Sequence, residues 1–186
     1  MIESTRIVSA VLALAMALAG CKEGRRVALT GDCSTAPAGR LTVAIKGATT
    51  RHCLSVERAT TTAEQAKGLM FRTDLAPDGG MLFWPYPADG GAAQEANFWM
   101  KDTPTPLDIL FIRADGTIAR IAENTIPYSE IPVSSGEPVA AVLELVGGRA
   151  AALGIAEGDT VTWPRGPRAS TASPMPATAP APVPGS

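Results

Sequence analysis

The sequence is poor in the residues that most often carry chemistry. It contains one histidine, His52, and three cysteines among 186 residues. It has no Cys-x-x-Cys pair and no Gly-x-Ser-x-Gly nucleophile elbow. A zinc site made of cysteine and histidine would need three scattered ligands, and no serine has a histidine other than His52 to act as its base. We therefore expect no metal, no cofactor and no nucleophile–base pair.

Basic clusters and long apolar segments are also absent. Lysine and arginine number 16 against 18 aspartates and glutamates, and the formal net charge is -2. Nucleic-acid-binding proteins usually carry a basic patch, so the sequence predicts no nucleic-acid partner. The apolar run Ile7–Leu18 would span about 18 Å as a helix, which is less than the ~30 Å hydrocarbon core of a bilayer. We therefore do not expect a permanent transmembrane helix.

The same apolar run has the length of the hydrophobic region of a signal peptide. It ends in Leu18-Ala19-Gly20-Cys21, where small residues directly precede a cysteine as in a bacterial lipobox. The sequence thus predicts a lipoprotein signal peptide over residues 1–20, lipidation of Cys21, and an exported, membrane-anchored chain. An ordinary secretory signal followed by a chance cysteine is the alternative. By resemblance to other bacterial lipoproteins, Lys22 favours the periplasmic side of the outer membrane if the host has one.

The two remaining cysteines, Cys33 and Cys53, are predicted to form a disulfide. An exported domain folds in an oxidising compartment, where paired cysteines usually bridge. A bridge closing a loop of about twenty residues would stabilise the fold by roughly 3 kcal/mol. Two independent thiols remain the alternative.

Composition divides the mature chain into three parts. Residues 21–38 are predicted to be a linker. Residues 39–164 are long enough to bury the core of one mostly-β domain. Residues 165–186 consist mainly of proline, alanine, serine and threonine. This tail cannot bury enough apolar surface to offset its ordering entropy, so we expect it to be disordered, with some polyproline character.

Short alternating segments separated by glycine and proline predict a mainly β domain. The predicted strands are Leu41–Ile45, Cys53–Val56, Met81–Trp84, Asn97–Lys101, Leu107–Arg113, Thr117–Glu123, Val139–Val146 and Thr160–Trp163. The predicted helices are Ala63–Lys67, which begins at a capping box of Thr62 and Gln65, and Arg149–Leu153. About eight strands with one or two short helices indicate a single β-sandwich or a closed barrel.

Two predicted strands place a carboxylate among apolar residues. Asp108 shares a strand face with Leu110 and Ile112. Glu144 lies in the same way between valines on the face of its own strand. A carboxylate in apolar surroundings must be paired, hydrogen-bonded or protonated. We therefore expect both side chains to point inward and to have partners.

The expected partners are the basic side chains of Arg72 and Lys101, gathered behind Trp99. Such a cluster is either a structural ion pair or the polar floor of a pocket walled by Trp99, Met81 and Phe83. The loop Pro85–Ala96 either covers that pocket or is an ordinary connection. The candidate ligand-binding residues are Arg72, Trp99, Lys101, Asp108 and Glu144.

Several separate motifs occur in an order typical of one family. They are Gly68-Leu69-Met70-Phe71-Arg72, Gly80-Met81-Leu82-Phe83, Phe98-Trp99-Met100-Lys101-Asp102-Thr103, Pro106-Leu107-Asp108-Ile109, Val142-Leu143-Glu144-Leu145 and Gly158-Asp159. From about Cys53 to Trp163 the chain closely resembles the prokaryotic domain-of-unknown-function family 192, which usually has asparagine at the position of Asp102.

The resemblance implies a compact, mostly-β domain of sandwich type in proteins that are often exported or membrane-anchored. It places the family's polar signature on Arg72, Lys101, Asp108 and Glu144. The activity of the family is not established, so the resemblance supplies an architecture and no function.

Three functions are compatible with these features. The favoured one is a non-enzymatic, lipid-anchored module that binds a small ligand, a glycan or an envelope protein. The second is a hydrolase that uses Asp108 and Glu144 as a carboxylate pair, which requires carboxyl groups ~5–10 Å apart in an open cleft. The third is a purely structural domain, in which the buried charges only stabilise the fold.

Overall fold

The computed structural model describes residues 28–30, 33 and 36–164. The predicted signal peptide, Cys21 and the predicted tail at 165–186 lie outside the described residues. Within them, no helix has the length and apolar character required to cross a bilayer. The strands are β1 (Ala28–Thr30), β2 (Leu41–Lys46), β3 (Thr50–Ala59), β4 (Gly80–Phe83), β5 (Gln94–Phe98), β6 (Leu107–Ile112), β7 (Ile118–Thr125), β8 (Val133–Val139), β9 (Ala141–Val146) and β10 (Thr160–Thr162), and the helices are α1 (Thr62–Lys67) and α2 (Arg149–Leu153).

Eight of the strands form one curled sheet. Seven of them follow the order β10-β2-β3-β4-β9-β6-β7, and β1 pairs with β3 in parallel. The two ends of the sheet meet, because Thr117 forms an antiparallel bridge with Thr160. The Ile118 amide also donates to the Asp159 carbonyl at 2.9 Å. The mainly-β prediction is therefore confirmed, and the sheet takes the barrel-like form.

Apolar residues pack on both faces of this sheet. Leu110 and Ile112 of β6 belong to the core on one face, whereas Ile109 and Phe111 belong to the core on the other. The second core is covered by the two-stranded β5–β8 ribbon, which contributes Ala96, Phe98, Val133 and Val139. Every residue of β6 is consequently buried, as its two apolar faces predicted.

Helix α1 begins at Thr62, one residue earlier than predicted, and its cap is likewise shifted by one residue. Thr61 is the cap: its hydroxyl accepts the Glu64 amide at 3.2 Å, while the Glu64 carboxylate accepts the Thr61 amide at 2.9 Å. Thr61–Glu64 and Thr62–Gln65 both satisfy the capping-box spacing. The carboxylate is the better acceptor, and Gln65 is used elsewhere.

Three strand predictions differ from the structure. The predicted linker at 21–38 contains β1, a three-residue strand that is held only by its distant partner β3. Strand β5 begins inside the predicted loop Pro85–Ala96 and ends before Trp99. The predicted strand Val139–Val146 is β9 joined to a separate strand, β8, which pairs with β5. These strands depend on non-local pairing, which local alternation does not encode.

Cys33 and Cys53 form the predicted disulfide, with their Cα atoms 5.2 Å apart. Cys53 lies in β3, opposite Ala44 of β2. The bridge therefore links the segment that follows β1 to the middle of the sheet, on the strand with which β1 itself pairs.

Candidate functional site

Glu144 is a buried carboxyl group in strand β9. It lies between Met81 of β4 and Ile109 of β6, and only 4% of the residue is exposed. Its Oε2 atom is buried and has no hydrogen-bond partner among the described residues. Desolvation raises the pKa of Glu144 to about 8, because burial disfavours the charged form. At neutral pH the group is therefore mostly a neutral carboxyl, able both to donate and to accept a hydrogen bond.

Glu144 lines a cavity of about 500 Å³ that lies against α1 and β5. This volume is within the range of about 300–1,000 Å³ that is common for small-molecule sites. We call this space the Glu144 cavity. Its other lining residues are Thr62, Gln65, Ala66, Lys67, Gly68, Leu69, Met70, Phe83, Tyr86, Pro87, Ala88, Asp89, Asn97, Phe98, Trp99 and Thr103.

An aromatic cluster centred on Phe98 forms part of the cavity wall. The Phe98 ring meets Phe83 edge to face, with centroids 5.0 Å apart, and lies 5.8 Å from the ring of Tyr86. Its far side contacts Phe111 of the core. Rings in such arrangements stabilise one another and keep fixed orientations, so this wall is preformed.

Two residues of the α1 region position the helix over the cavity. The Gln65 amide donates to the carbonyl oxygens of Ala59, at the end of β3, and of Pro85, in the loop after β4. Gly68 ends the helix with φ 49°, and a Cβ atom there would lie 3.2 Å from the Phe83 ring. Glycine therefore permits both the turn and the close approach of the chain to the aromatic wall.

Asp108 has a structural role on the opposite face of the sheet. It is fully buried, and its Oδ1 accepts the backbone amides of Asn124 and Gly148 at 2.8 and 2.9 Å. Its Oδ2 accepts the Ala150 amide at 2.8 Å. The cap residue Gly148 has no side chain that could accept a hydrogen bond from the first amides of α2. The Asp108 carboxylate, on strand β6, accepts those hydrogen bonds instead.

Arg72 is paired away from the Glu144 cavity. Its guanidinium contacts both carboxylate oxygens of Glu57, at 3.0 and 3.1 Å, and its Nε lies 2.6 Å from Asp74. The hydrogen bonds that the guanidinium donates to Asp74 and, next, to Glu57 raise the pKa of Arg72 above its ordinary value. Arg40 also contacts Glu57 at 3.5 Å. This cluster ties β3 to the segment after α1.

Lys101 stands over the indole of Trp99, with its Nζ 5.3 Å from the ring centroid. Trp99 is 48% exposed and lines the Glu144 cavity. The lysine therefore makes a cation–π contact at the surface.

The structure does not gather the four predicted charges in one place. Asp108 pairs with Leu145, whereas Glu144 pairs with the next residue of β6, Ile109. A one-residue offset places side chains on opposite faces of a sheet. The alternative of a carboxylate pair is therefore contradicted. The prediction that some of the four charges meet is also wrong, since no ion pair among the described residues joins any two of them. The register of β6 against β9 cannot be inferred from either strand alone.

Of the predicted ligand-binding residues, the structure places Glu144 and Trp99 on the cavity, together with the predicted wall residue Phe83. The prediction missed Tyr86, Phe98 and the α1 residues. Tyr86 and its neighbours belong to the loop for which the sequence allowed either a pocket cover near Trp99 or an ordinary connection, so the first alternative pointed to this part of the wall. No feature of the sequence indicated that α1 lines the cavity.

In the described part of the chain, no group of three or more His, Cys, Asp or Glu residues is arranged to hold a metal ion.

Comparison with known proteins identifies the family. The family model described as "Uncharacterized ACR" matches residues 43–163. A crystal structure of a protein of unknown function from Novosphingobium aromaticivorans is 43% identical, with a TM-score of 0.65; the match covers 70% of this chain and 95% of that one. A Sinorhizobium meliloti protein, provisionally described as a transcription regulator, is 42% identical, with a TM-score of 0.62 and coverage of 69% and 96%.

No curated protein matches the chain. The two solved relatives are matched over almost their whole length, so the shared part is the folded domain. Because the family model covers more than half of the sequence, the chain belongs to the domain-of-unknown-function family 192, as its motifs predicted.

Proposed function

We propose that the folded domain binds a small molecule in the Glu144 cavity without converting it chemically. The observation that carries this proposal is the buried Oε2 atom of Glu144, which has no hydrogen-bond partner in the described part of the chain. Glu144 lines a cavity with preformed aromatic walls. An unsatisfied buried polar group costs about 1–3 kcal/mol. A ligand that supplies the missing hydrogen bond to Glu144 removes that cost, and this gain favours ligand binding in the cavity.

The concave shape favours a small molecule over an envelope protein or a long glycan. Glu144 lies at depth, and a broad protein surface would reach the exposed Trp99 without reaching the carboxyl group. Small-molecule sites typically combine apolar and aromatic walls with a few placed polar groups. The Glu144 cavity has this composition, with Asn97 and Thr103 as further polar lining residues.

A binding role is also favoured over hydrolysis. Carboxylate-pair hydrolysis needs a second carboxyl group on the same side of the substrate, and Asp108 lies on the other face of the sheet with three amides bound to it. The regulator description of the Sinorhizobium meliloti relative does not guide the proposal, since a chain with net charge -2 lacks the excess of basic residues typical of DNA-binding domains.

Binding is tested with a thermal-shift screen of small metabolites against the mature chain and its Glu144→Gln variant. A ligand present at about 100 times its Kd stabilises a protein by about 2.7 kcal/mol, which is readily detected. We expect at least one compound to stabilise the wild type and to lose its effect in Glu144→Gln. Glu137→Gln, which removes a carboxylate that pairs with Arg113 and does not line the cavity, is the matched control. Uniform silence, or equal shifts in both variants, would refute the proposal.

We further propose that the domain works in the bacterial envelope, anchored by lipid on Cys21 at the periplasmic side of the outer membrane in a diderm host. The lipobox and the Cys33–Cys53 disulfide support this location, since disulfides persist in oxidising compartments. Fractionation of cells that produce Cys21→Ala tests the anchor, with Glu23→Gln as a control that keeps the cysteine. The alanine variant is expected to leave the membrane pellet, and its retention there would contradict the anchor.

A further inference from the structure

We propose that the ligand of the Glu144 cavity is a small amine, whose ammonium group lies against the Glu144 carboxylate and whose apolar body contacts the aromatic wall. This inference rests on the proposed small-molecule function and specifies its ligand class. Three features of the cavity lead to it.

The first feature is the missing counter-charge. Five ion pairs occur among the described residues, and none includes Glu144. The basic residues expected beside it are used elsewhere, Arg72 by Glu57 and Asp74, and Lys101 by the Trp99 ring. A buried carboxyl group without a protein cation is complementary to a cation that comes from solution.

The second feature is the aromatic lining. Phe83, Tyr86, Phe98 and Trp99 border the same cavity as the carboxyl group. The faces of aromatic rings attract cations, most strongly where water is excluded. An anionic ligand would meet the ring faces unfavourably, and the ionised Glu144 carboxylate would repel it, so the wall and the floor select the same sign of charge once Glu144 is ionised.

The third feature is the balance of the other titratable groups on the cavity. They are Lys67 of α1, and Tyr86 and Asp89 of the loop after β4. Lys67 and Asp89 are both exposed and carry opposite charges. Desolvation raises the pKa of Tyr86 above its ordinary value, so its phenol stays neutral near pH 7. Glu144 therefore determines the charge that the interior of the cavity accepts.

Amine binding is coupled to release of one proton. The ammonium ion favours the ionised carboxylate, so Glu144 loses its proton to solvent when the ligand enters. With a pKa of about 8 in the empty protein, the ionised fraction rises about tenfold per pH unit below that value. Affinity for an amine should accordingly rise about fifty-fold between pH 6 and pH 8 and level off above pH 8. A ligand that needs the protonated carboxyl would show the opposite trend.

Three probes with the same ring test this inference by calorimetry on the mature chain: 2-phenylethylamine, 2-phenylethanol and 3-phenylpropanoate. We expect the amine to bind most tightly at pH 8, at least tenfold more tightly than the alcohol. Its affinity should fall at pH 6. Titrations in buffers of different ionisation enthalpy should show release of about one proton per amine at pH 6 and about half a proton at pH 8. Glu144→Gln should remove both the preference and the pH dependence, whereas Glu137→Gln should keep them.

Several results would overturn the amine assignment. These are equal binding of the amine and the alcohol, tighter binding of the propanoate, an amine affinity that is unchanged in Glu144→Gln, or no binding of any probe. Binding of the alcohol or the propanoate that depends on Glu144 would still support the small-molecule function. Silence of all three probes together with a silent metabolite screen would remove both proposals.

Discussion

Asp108 and Glu144 are carboxyl groups buried on neighbouring strands, and their surroundings give them different properties. Asp108 receives three backbone amides and serves as an internal cap for α2. Glu144 has a buried oxygen that finds no hydrogen-bond partner within residues 28–30, 33 and 36–164, and its pKa is raised to about 8 by desolvation. Substitution should therefore lower stability at Asp108 and change the pH dependence of stability at Glu144.

Asp108→Asn should destabilise the protein by about 2–4 kcal/mol, because an amide cannot accept all three donors and presents its own N–H groups to one of them. Urea unfolding should show a lower midpoint with an unchanged slope. Asp78→Asn, which removes an exposed partner of Arg149, should cost less than about 1 kcal/mol. Equal losses in the two variants would contradict the assigned role of Asp108.

Glu144→Gln should remove a pH dependence of stability. The unfolded chain ionises Glu144 near its ordinary pKa of 4.5, whereas the folded protein retains the proton up to about pH 8. The folded state therefore binds more protons between these values, and wild-type stability falls as the pH rises through this window. The loss should be on the order of 3 kcal/mol by pH 8. Unfolding curves at pH 5 and pH 8 should show a smaller difference in the variant, and an equal difference would refute the raised pKa.

For single residues, the sequence predicted which side chains are buried more successfully than it predicted which side chains they contact. The inward orientation of Asp108 and Glu144 followed from alternation along each strand. Their separation by the sheet depends on how β6 and β9 align, and this alignment is a property of the pair. Asp102 is a simpler case, because its φ of 52° lies in a region that asparagine and aspartate adopt more readily than most residues. This conformation accounts for both residue types at that family position.

Helix α1 and strand β5 are the elements that form the cavity, and both depend on tertiary contacts. The helix has six residues and none of them is buried. A helix of this length is not stable in isolation, so its position depends on its cap and on the two hydrogen bonds of Gln65. Strand β5 is largely polar and is recognisable only through its pairing with β8. The cavity was for this reason less predictable than the sheet behind it.

Thr61→Ala should destabilise α1, because the Glu64 amide loses its acceptor. A lost cap typically costs about 1 kcal/mol. Hydrogen exchange of the amides in 62–67 should accelerate more than exchange in β6 or β9. Thr62→Ala, at the first helical position, is the control and should change exchange little. A larger effect at Thr62 than at Thr61 would show that the capping box uses the register first predicted.

Over the whole molecule, the curled sheet joins parts of the chain that are far apart in sequence. The hydroxyl of Thr162 in β10 contacts the carbonyl of Ala44 in β2, 118 residues away. The mainly-β character and the two short helices followed from alternation and turn residues, although the described residues form ten strands and eight were predicted. The closure through Thr117 and Thr160 did not, since three-residue strands carry almost no pattern of their own.

The disulfide should contribute about 3 kcal/mol to the stability of the domain, because it constrains a loop of about twenty residues in the unfolded chain. Reductant should lower the urea midpoint of the oxidised protein, measured with Cys21→Ser in all samples to remove a third thiol. The Cys33→Ser, Cys53→Ser double variant should unfold at the reduced midpoint and be insensitive to reductant. An unchanged midpoint of the oxidised protein on reduction would contradict this contribution.

The position of β10 also determines when the domain can fold. Its three residues are the last of the described strands, and they cover the edge of β2 and meet the turn between β6 and β7. While the ribosome is still adding residues before 160, the edge of β2 has no neighbour to cover it. The native sheet therefore closes only after nearly the whole domain has been synthesised, and a chain cut short before that point keeps an open edge that can pair with other unfinished chains.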